Sequence, residues 1–247
     1  MPQRTRNIFN PKSGSPFKLS RSRLENFIKC LRCFYLDRRL GIDVPPTPAF
    51  TLNSAVDQLL KKEFDAYRAR REPHPLMVQH GLNAIPFTHP DLDTWRENFK
   101  GVQFYHVPSN FLVTGAIDDL WEGKGGELYV VDYKSTSKDG EIELTDAPWH
   151  QAYRRQIEIY QWLLRQNGFP VSTTGYWVYV NGRRDSKAFN EQLLFRTQLI
   201  PHVGDDSWVE STLFKAHACL MSDELPASDA ACEYCRYREA ARDVETS

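Results

Sequence analysis

The feature of this sequence that most limits its fold is a pair of extended segments separated by glycines. Residues 111–121 and 127–134 are both rich in the β-branched and aromatic side chains that are typical of strands. Between them lie Gly123, Gly125 and Gly126, which supply the backbone freedom that a tight turn requires. The pattern predicts an antiparallel β-hairpin near the middle of the chain.

The segments around this hairpin have the apolar spacing of amphipathic helices. Residues 24–35, 55–67, 149–167 and 208–220 each place apolar side chains on one helical face. Shorter apolar runs at 175–180 and 189–194 predict two further strands. The sequence therefore predicts an α/β fold in which a small mixed β-sheet is flanked by helices, with helical extensions at both ends. We expect residues 20–247 to form a single domain.

The N-terminal segment is basic, since residues 1–24 contain six Lys or Arg residues and no acid. One interpretation is a flexible, solvated arm over residues 1–19, and the other is a strip that contacts phosphate groups. The formal net charge of the chain is −1, which argues against a protein that coats nucleic acid by bulk positive charge. A local basic patch would be hidden in this total.

The composition is that of a globular protein, because 26% of the residues are charged and 13% are aromatic. No uninterrupted apolar run approaches the roughly 20 residues of a membrane helix, and we expect no membrane association. The first residues also lack the apolar segment of a signal peptide. With five cysteines in the chain, we therefore expect a reducing compartment and a cytoplasmic location.

The predicted hairpin carries a cluster of charged residues. Asp118 and Asp132 lie nearly opposite each other if the glycines form the turn, and Lys134 projects to the same face as Asp132. Two carboxylates and an ammonium group suit a hard divalent cation, beside which a lysine can orient or deprotonate a water molecule. The alternative is an exposed ladder with a cross-strand ion pair. The preceding Val130 and Val131 favour a strand with buried neighbours.

The order of four motifs resembles the PD-(D/E)XK nuclease superfamily, and more closely its RecB-like branch, which includes the CRISPR-associated adaptation exonucleases. Residues 22–36 resemble the N-terminal helix of that branch, with its cysteine followed by Phe-Tyr-Leu. Residues 115–118 and 132–134 resemble its second motif and its acid-x-Lys signature. Residues 156–160 resemble its helical Gln-x-x-x-Tyr motif, in which the two named residues share one helix face. The resemblance runs from about residue 20 to 238 and implies a restriction-endonuclease-like core within a single nuclease-like domain.

The resemblance also implies roles for these residues. Mg²⁺ or Mn²⁺ would be bound by Asp118, Asp132 and the backbone carbonyl of Tyr133, and Lys134 would position the attacking water. The residues implied to contact the nucleic-acid strand are Gln156 and Tyr160. The branch usually carries a metal-binding histidine on the helix before the sheet, and in this chain Asp57 occupies that position. Because a carboxylate is a good ligand for a hard cation, we expect Asp57 to complete the metal site.

The cysteines form two Cys-x-x-Cys pairs, Cys30 with Cys33 and Cys232 with Cys235, and Cys219 is left over. Short-spaced pairs from distant segments are typical of tetrahedral thiolate sites for zinc or iron–sulfur, although buried cysteines are also common as ordinary core residues. The resemblance implies a four-iron cluster with one N-terminal and three C-terminal cysteines. The last of these is missing here, so that Cys33 or Cys219 would substitute, or the cluster has been lost. We expect the two pairs to share one structural metal or cluster.

These observations together predict a divalent-metal-dependent nuclease that hydrolyses phosphodiester bonds in nucleic acid. We expect DNA as the substrate. We also expect an exonuclease or a repair or recombination role instead of sequence-specific restriction, because no separate sequence-reading module such as a helix-turn-helix is visible. One alternative is a non-catalytic nucleic-acid-binding or assembly module that keeps the fold, since a fold alone does not certify activity. Another is a metal-dependent enzyme that acts on a different phosphoester.

Overall fold

The structure is a computed structural model that describes residues 3–45 and 51–246. This part of the chain contains eight α-helices and eight β-strands. The helices are α1 (Arg21–Lys29), α2 (Leu31–Arg38), α3 (Thr51–Arg70), α4 (Pro75–Gln79), α5 (Leu92–Arg96), α6 (Pro148–Gln166), α7 (Trp208–Met221) and α8 (Glu233–Glu245). The strands are β1 (Phe17–Ser20), β2 (Ala84–Pro86), β3 (Val102–His106), β4 (Phe111–Gly115), β5 (Asp119–Gly123), β6 (Leu128–Thr136), β7 (Thr174–Gly182) and β8 (Phe195–Val203).

The chain divides into two compact units. The first unit comprises Met1–Pro48, Gln103–Thr114 and Ser207–Ser247, and the second comprises Ala49–Val102 and Gly115–Asp206. The boundary predicted at residue 19 falls inside the first unit, and the single domain expected over residues 20–247 spans parts of both. No helix of the described residues is long and apolar enough to cross a membrane.

The second unit is built on a five-stranded mixed sheet with the strand order β2-β5-β6-β7-β8. Strands β5 and β6 form the antiparallel hairpin predicted from the glycines, with Asp119 opposite Val131. Helix α6 connects β6 to β7, which pair in parallel, and β8 adds an antiparallel edge. The predicted α/β class, with a small mixed sheet flanked by helices, is therefore confirmed.

The first unit contains a three-stranded sheet with the order β1-β4-β3, in which β1 pairs with β4 in parallel. The segment before β1, expected to be a solvated arm over residues 1–19, is mostly exposed but is anchored at Arg4 and Phe9. Arg4 binds the Asp37 carboxylate at 2.5 Å. Phe9 is buried, its N–H donates to the Arg38 carbonyl at 2.7 Å, and its ring packs edge-on against Phe17. The apolar side chains among the basic residues anchor this segment. Met1 and Pro2, which also belong to the predicted arm, lie outside the described residues.

The first predicted strand, over residues 111–121, is two strands in the structure. Strand β4 pairs with β1 and β3, whereas β5 pairs with β2 and β6. The chain leaves one sheet and joins the other between Gly115 and Asp119, where the N–H of Ile117 donates to the carbonyl of Trp95 at 3.1 Å. A continuous apolar run does not reveal such a change of partner, because both halves have strand composition.

Two further predictions of local structure were wrong. The helix expected to run through residues 24–35 is interrupted at Cys30, whose φ of −164° and ψ of 112° are extended. Cys30 therefore caps α2 and does not lie on one helix with Cys33. The strand expected at 189–194 is a turn with positive φ at Asn190 and Glu191, and the strand begins later, at Phe195.

Candidate functional site

Two carboxylates meet where β5 begins and β6 passes beside it. The register that sets Asp119 opposite Val131 also places Asp118 level with Asp132, as the hairpin pattern predicted. Oδ2 of Asp118 accepts the backbone N–H of Tyr133 at 2.9 Å. The carboxylate of Asp118 therefore reaches across to β6 directly beside Asp132.

The Asp132 carboxylate is fully buried, and both of its oxygens have partners. Oδ2 contacts the ammonium group of Lys134, and Oδ1 accepts the side-chain amide N–H of Gln156 at 2.7 Å. The same amide group donates to the Tyr160 hydroxyl at 3.1 Å, and Lys134 Nζ lies 3.4 Å from Oε1 of Gln156. A buried charge is costly unless it is paired and hydrogen-bonded, and this arrangement satisfies both conditions.

Gln156 and Tyr160 share one face of α6, as their spacing predicted, but both side chains are buried, with exposures of 8% and 3%. We expected them to contact a nucleic-acid strand. In the structure Gln156 donates to Asp132 and to Tyr160, so that the pair faces the carboxylate from the helix. Their burial results from the packing of α6 against the sheet, which spacing along one helix does not reveal.

Asp57, on α3, approaches the same site through a lysine that the sequence reasoning missed. Lys61 Nζ lies 2.9 Å from Oδ2 of Asp57 and 3.5 Å from Oδ1 of Asp118. Burial lowers the pKa of Lys61, but the neighbouring Asp118 and Asp57 carboxylates outweigh this and raise it above its ordinary value. The i, i+4 spacing from Asp57 was the one signal in the sequence that could have identified Lys61.

Asp119 points to the opposite face of the strand, into a buried ionic network. Its carboxylate contacts the guanidinium of Arg68, the Arg96 guanidinium at 3.0 Å and the Tyr133 hydroxyl at 2.8 Å. Burial and the adjacent Asp119 charge raise the pKa of Tyr133 well above its ordinary value, so that this hydroxyl stays protonated and donates. Arg96 also donates to the backbone carbonyl of Asp118 at 3.0 Å, which fixes the start of β5.

The chemistry of these donors fits a hard divalent cation. The carboxylates of Asp57, Asp118 and Asp132 offer the oxygen ligands that Mg²⁺ and Mn²⁺ prefer. Each of them faces an ammonium group, and Asp57 and Asp118 share that of Lys61, so that this place already favours positive charge. A bound cation would replace part of these ammonium contacts.

The predicted cysteine set converges in the first unit. The four ligand sulfurs of Cys30, Cys33, Cys232 and Cys235 all lie within 4.8 Å of one another, and among the described residues these four form a group that could hold a metal ion. Cys219 lies on α7 outside this group and is half-buried, and burial raises the pKa of its thiol.

Comparison with known proteins gives one family. A family model described as the PD-(D/E)XK nuclease superfamily matches residues 18–240, a range that includes both the carboxylates and the cysteines. Among solved structures, one titled "Crystal structure of SSO0001" is 13% identical to this chain, covers 92% of it and 86% of its own length, and superposes with a TM-score of 0.36. No curated protein matches this chain.

Proposed function

Because the chain belongs to the PD-(D/E)XK nuclease superfamily, we propose that it is a divalent-metal-dependent nuclease that hydrolyses phosphodiester bonds in DNA. The observation that best supports this proposal is the meeting of Asp118, Asp132 and Lys134 beside one another on the β5–β6 hairpin. These are the aspartate and the acid-x-Lys sequence after which the superfamily is named. The buried position of Asp132 argues against the alternative of an exposed ladder of surface charges.

In this proposal Mg²⁺ or Mn²⁺ is held by the carboxylates of Asp57, Asp118 and Asp132, with the backbone carbonyl of Tyr133. When bound, the ion supplies positive charge to the phosphoryl oxygens. The Lys134 ammonium is held by Asp132 and orients the water that attacks the phosphate. Lys61 neutralises Asp57 and Asp118 and so limits the repulsion between them.

Gln156 and Tyr160 have a positioning role in this proposal. Gln156 donates to the Asp132 carboxylate and accepts from the Lys134 ammonium, so that it holds both groups at fixed places. Tyr160 in turn accepts a hydrogen bond from the Gln156 amide and limits its rotation. The direct contact with the nucleic-acid strand that the resemblance implies for this pair stays a prediction.

We propose DNA, and an exonuclease or a repair or recombination role, because the order of the motifs is similar to that of the RecB-like branch. We also propose a reducing compartment such as the cytoplasm. In the structure all five cysteines are free, and four of them face one another without forming a disulfide.

The proposal is tested by incubating the purified protein with labelled single-stranded DNA, double-stranded DNA and matching RNA, each with Mg²⁺, Mn²⁺ or EDTA. We expect cleavage of DNA that depends on the metal. Lys134→Ala should reduce the cleavage rate by at least about 100-fold, which is typical for the loss of a proton-transfer or water-positioning group. The matched control is Lys124→Ala, because Lys124 is exposed in the turn of the same hairpin.

The outcomes separate the candidate functions. Binding of DNA without cleavage under every metal condition would contradict the nuclease proposal and favour the non-catalytic binding module. Cleavage of RNA alone would contradict the choice of DNA. Undiminished cleavage by a folded Lys134→Ala protein would remove Lys134 from the mechanism.

A further inference from the structure

The four clustered cysteines occupy equivalent positions at two helix N-termini. Cys30 is the N-cap of α2 and Cys33 is the third residue of that helix. Cys232 is the N-cap of α8 and Cys235 is the third residue of that helix. Each Cys-x-x-Cys pair thus spans the first turn of a helix. In α2 the backbone N–H of Cys33 also donates to the sulfur of Cys30 at 3.5 Å, whereas the Cys232 side chain makes no such cap hydrogen bond in α8. The two pairs therefore offer four thiols at the starts of two helices, and a bound metal ion would take them as thiolates.

The distances between the sulfurs fit one metal ion. The Sγ atoms of Cys30 and Cys235 are 3.6 Å apart, those of Cys33 and Cys232 are 3.7 Å apart, and those of Cys33 and Cys235 are 4.0 Å apart. Four sulfurs at about 2.3 Å from a tetrahedral zinc ion lie about 3.8 Å from one another. The three measured distances are close to this value, and every pair of sulfurs is within 4.8 Å.

A four-iron cluster does not fit this spacing. In such a cluster each thiolate binds a different iron atom, so that the four sulfurs point outward from separate corners and lie further apart than ligands of one ion. A disulfide is excluded as well, because its sulfurs would be about 2.05 Å apart. We infer that Cys30, Cys33, Cys232 and Cys235 bind a single tetrahedral zinc ion. A single iron ion in the same site would need the same sulfur spacing, and elemental analysis distinguishes it from zinc.

The weak packing of α8 indicates a structural role for this ion. Helix α8 has 13 residues, and Cys235 is its one buried residue. Its apolar side chains point largely to solvent, with exposures of 75% for Tyr237 and 79% for Val244. A helix of this length is marginal by itself in water, and burial of one cysteine adds little apolar stabilisation. The zinc–thiolate bonds are therefore what holds α8 to α2.

The first experiment measures the metal in the purified protein by elemental analysis. We expect about one zinc ion per chain, without iron or acid-labile sulfide. Cobalt in place of zinc should give the visible absorption of a tetrahedral tetrathiolate site. Cys232→Ser and Cys235→Ser should lower the zinc content to below about 0.1 per chain, whereas Cys219→Ser is the matched control and should keep it.

The second experiment tests the attachment of α8 and does not depend on the fold of any variant. Zinc is removed from the wild-type protein with a chelator under reducing conditions, and limited proteolysis is followed by mass spectrometry. We expect faster cleavage within residues 225–245 in the zinc-free protein, and restored protection when zinc is returned. Neither the metal content nor the proteolysis pattern requires cleavage of nucleic acid. Both measurements therefore still test the zinc site if the nuclease proposal fails.

Three results would overturn the inference. Iron and acid-labile sulfide, with absorption near about 400 nm, would show a cluster instead of zinc. A reduced, folded protein that takes up neither zinc nor cobalt would show four packed thiols. Equal proteolysis of α8 with and without zinc would show that the ion does not hold the helix.

Discussion

Asp118 and Asp119 are adjacent in the chain, yet their surroundings differ because successive side chains of a strand project to opposite faces. Asp118 faces Lys61 and the Tyr133 N–H and is 23% exposed. Asp119 is fully buried, and its partners are two arginines and a tyrosine hydroxyl. The two carboxylates should therefore contribute to different properties of the protein.

We predict that Asp119→Asn destabilises the protein while Asp118→Asn weakens metal binding. Loss of one partner from a buried ion pair typically costs about 3–5 kcal/mol, because Arg68 and Arg96 would keep buried, poorly compensated charges. Denaturant unfolding should show this loss for Asp119→Asn, and calorimetry with Mn²⁺ should show weaker binding for Asp118→Asn. If Asp119→Asn weakened Mn²⁺ binding more than Asp118→Asn, the assignment of the two faces would be wrong.

Lys61 places its ammonium group where we propose that the cation contacts Asp57 and Asp118. We predict that Lys61→Met strengthens Mn²⁺ binding, because the ion no longer competes with that group. Partly exposed ion pairs are worth up to about 1 kcal/mol, so that the gain in affinity should be roughly two- to fivefold. Calorimetry measures it, with Lys62→Met as the control because Lys62 is exposed. Weaker binding by Lys61→Met would show that Lys61 supports the site instead of competing with the ion.

At the scale of elements, the close approach of α6 decides where Gln156 and Tyr160 lie. Two glycines allow this approach. A Cβ atom on Gly115 would lie 2.6 Å from Cε1 of Tyr160, and one on Gly175 would lie 2.5 Å from Cγ2 of Ile157. In a packed interior, rotation of a side chain cannot relieve overlaps this severe, so that helix α6 itself would have to shift.

We predict that Gly115→Ala impairs both stability and cleavage. The added methyl group displaces Tyr160 and with it the Gln156 amide that holds Asp132. Overpacking of this kind typically costs about 1–3 kcal/mol. Thermal unfolding and the cleavage assay measure the two effects. Gly14→Ala is the control, since no atom lies within 4 Å of the Cβ position there. Wild-type behaviour of Gly115→Ala would mean that α6 can move without consequence for the site.

At the scale of the whole molecule, one buried and one half-buried histidine make the stability of the first unit depend on pH. Burial lowers the pKa of His106, although Glu210 opposes the effect, and burial also lowers the pKa of His217. His106 is 5% exposed and its Nδ1 lies 2.8 Å from the Ser109 hydroxyl, while the His217 ring packs against Phe9. These surroundings therefore favour the neutral form of both side chains.

We predict that the melting temperature falls as the pH is lowered from 7.5 to 5.5. Below the ordinary histidine pKa of about 6.5, the unfolded chain takes up protons that the folded protein does not, so that stability is lost as the pH falls and is retained above that value. The drop should be smaller in the double variant His106→Gln, His217→Gln. His80→Gln, at an exposed position, should behave like the wild type. An equal drop in all three proteins would assign the effect to other groups.

The sequence by itself determined the features that follow from local periodicity. Strand alternation and the glycine turn predicted that Asp118 would lie level with Asp132 and that Lys134 would project to the same face as Asp132. Helical spacing placed Gln156 and Tyr160 on one face, and the two Cys-x-x-Cys pairs indicated a shared site. These predictions depend only on residues a few positions apart, or on the register of one hairpin, and the backbone geometry fixes them.

Only the tertiary structure decided which distant side chains meet. Arg68 and Arg96 reach Asp119 from other elements, and Lys61 reaches Asp118 from α3. The change from one sheet to the other after Gly115 and the helix break at Cys30 likewise depend on the elements that pack against these segments. Within each segment, the sequence pattern is that of a continuous strand or a continuous helix. The reason is physical: a buried charge or a tight turn is stable only with partners that compensate it, and those partners come from anywhere in the chain.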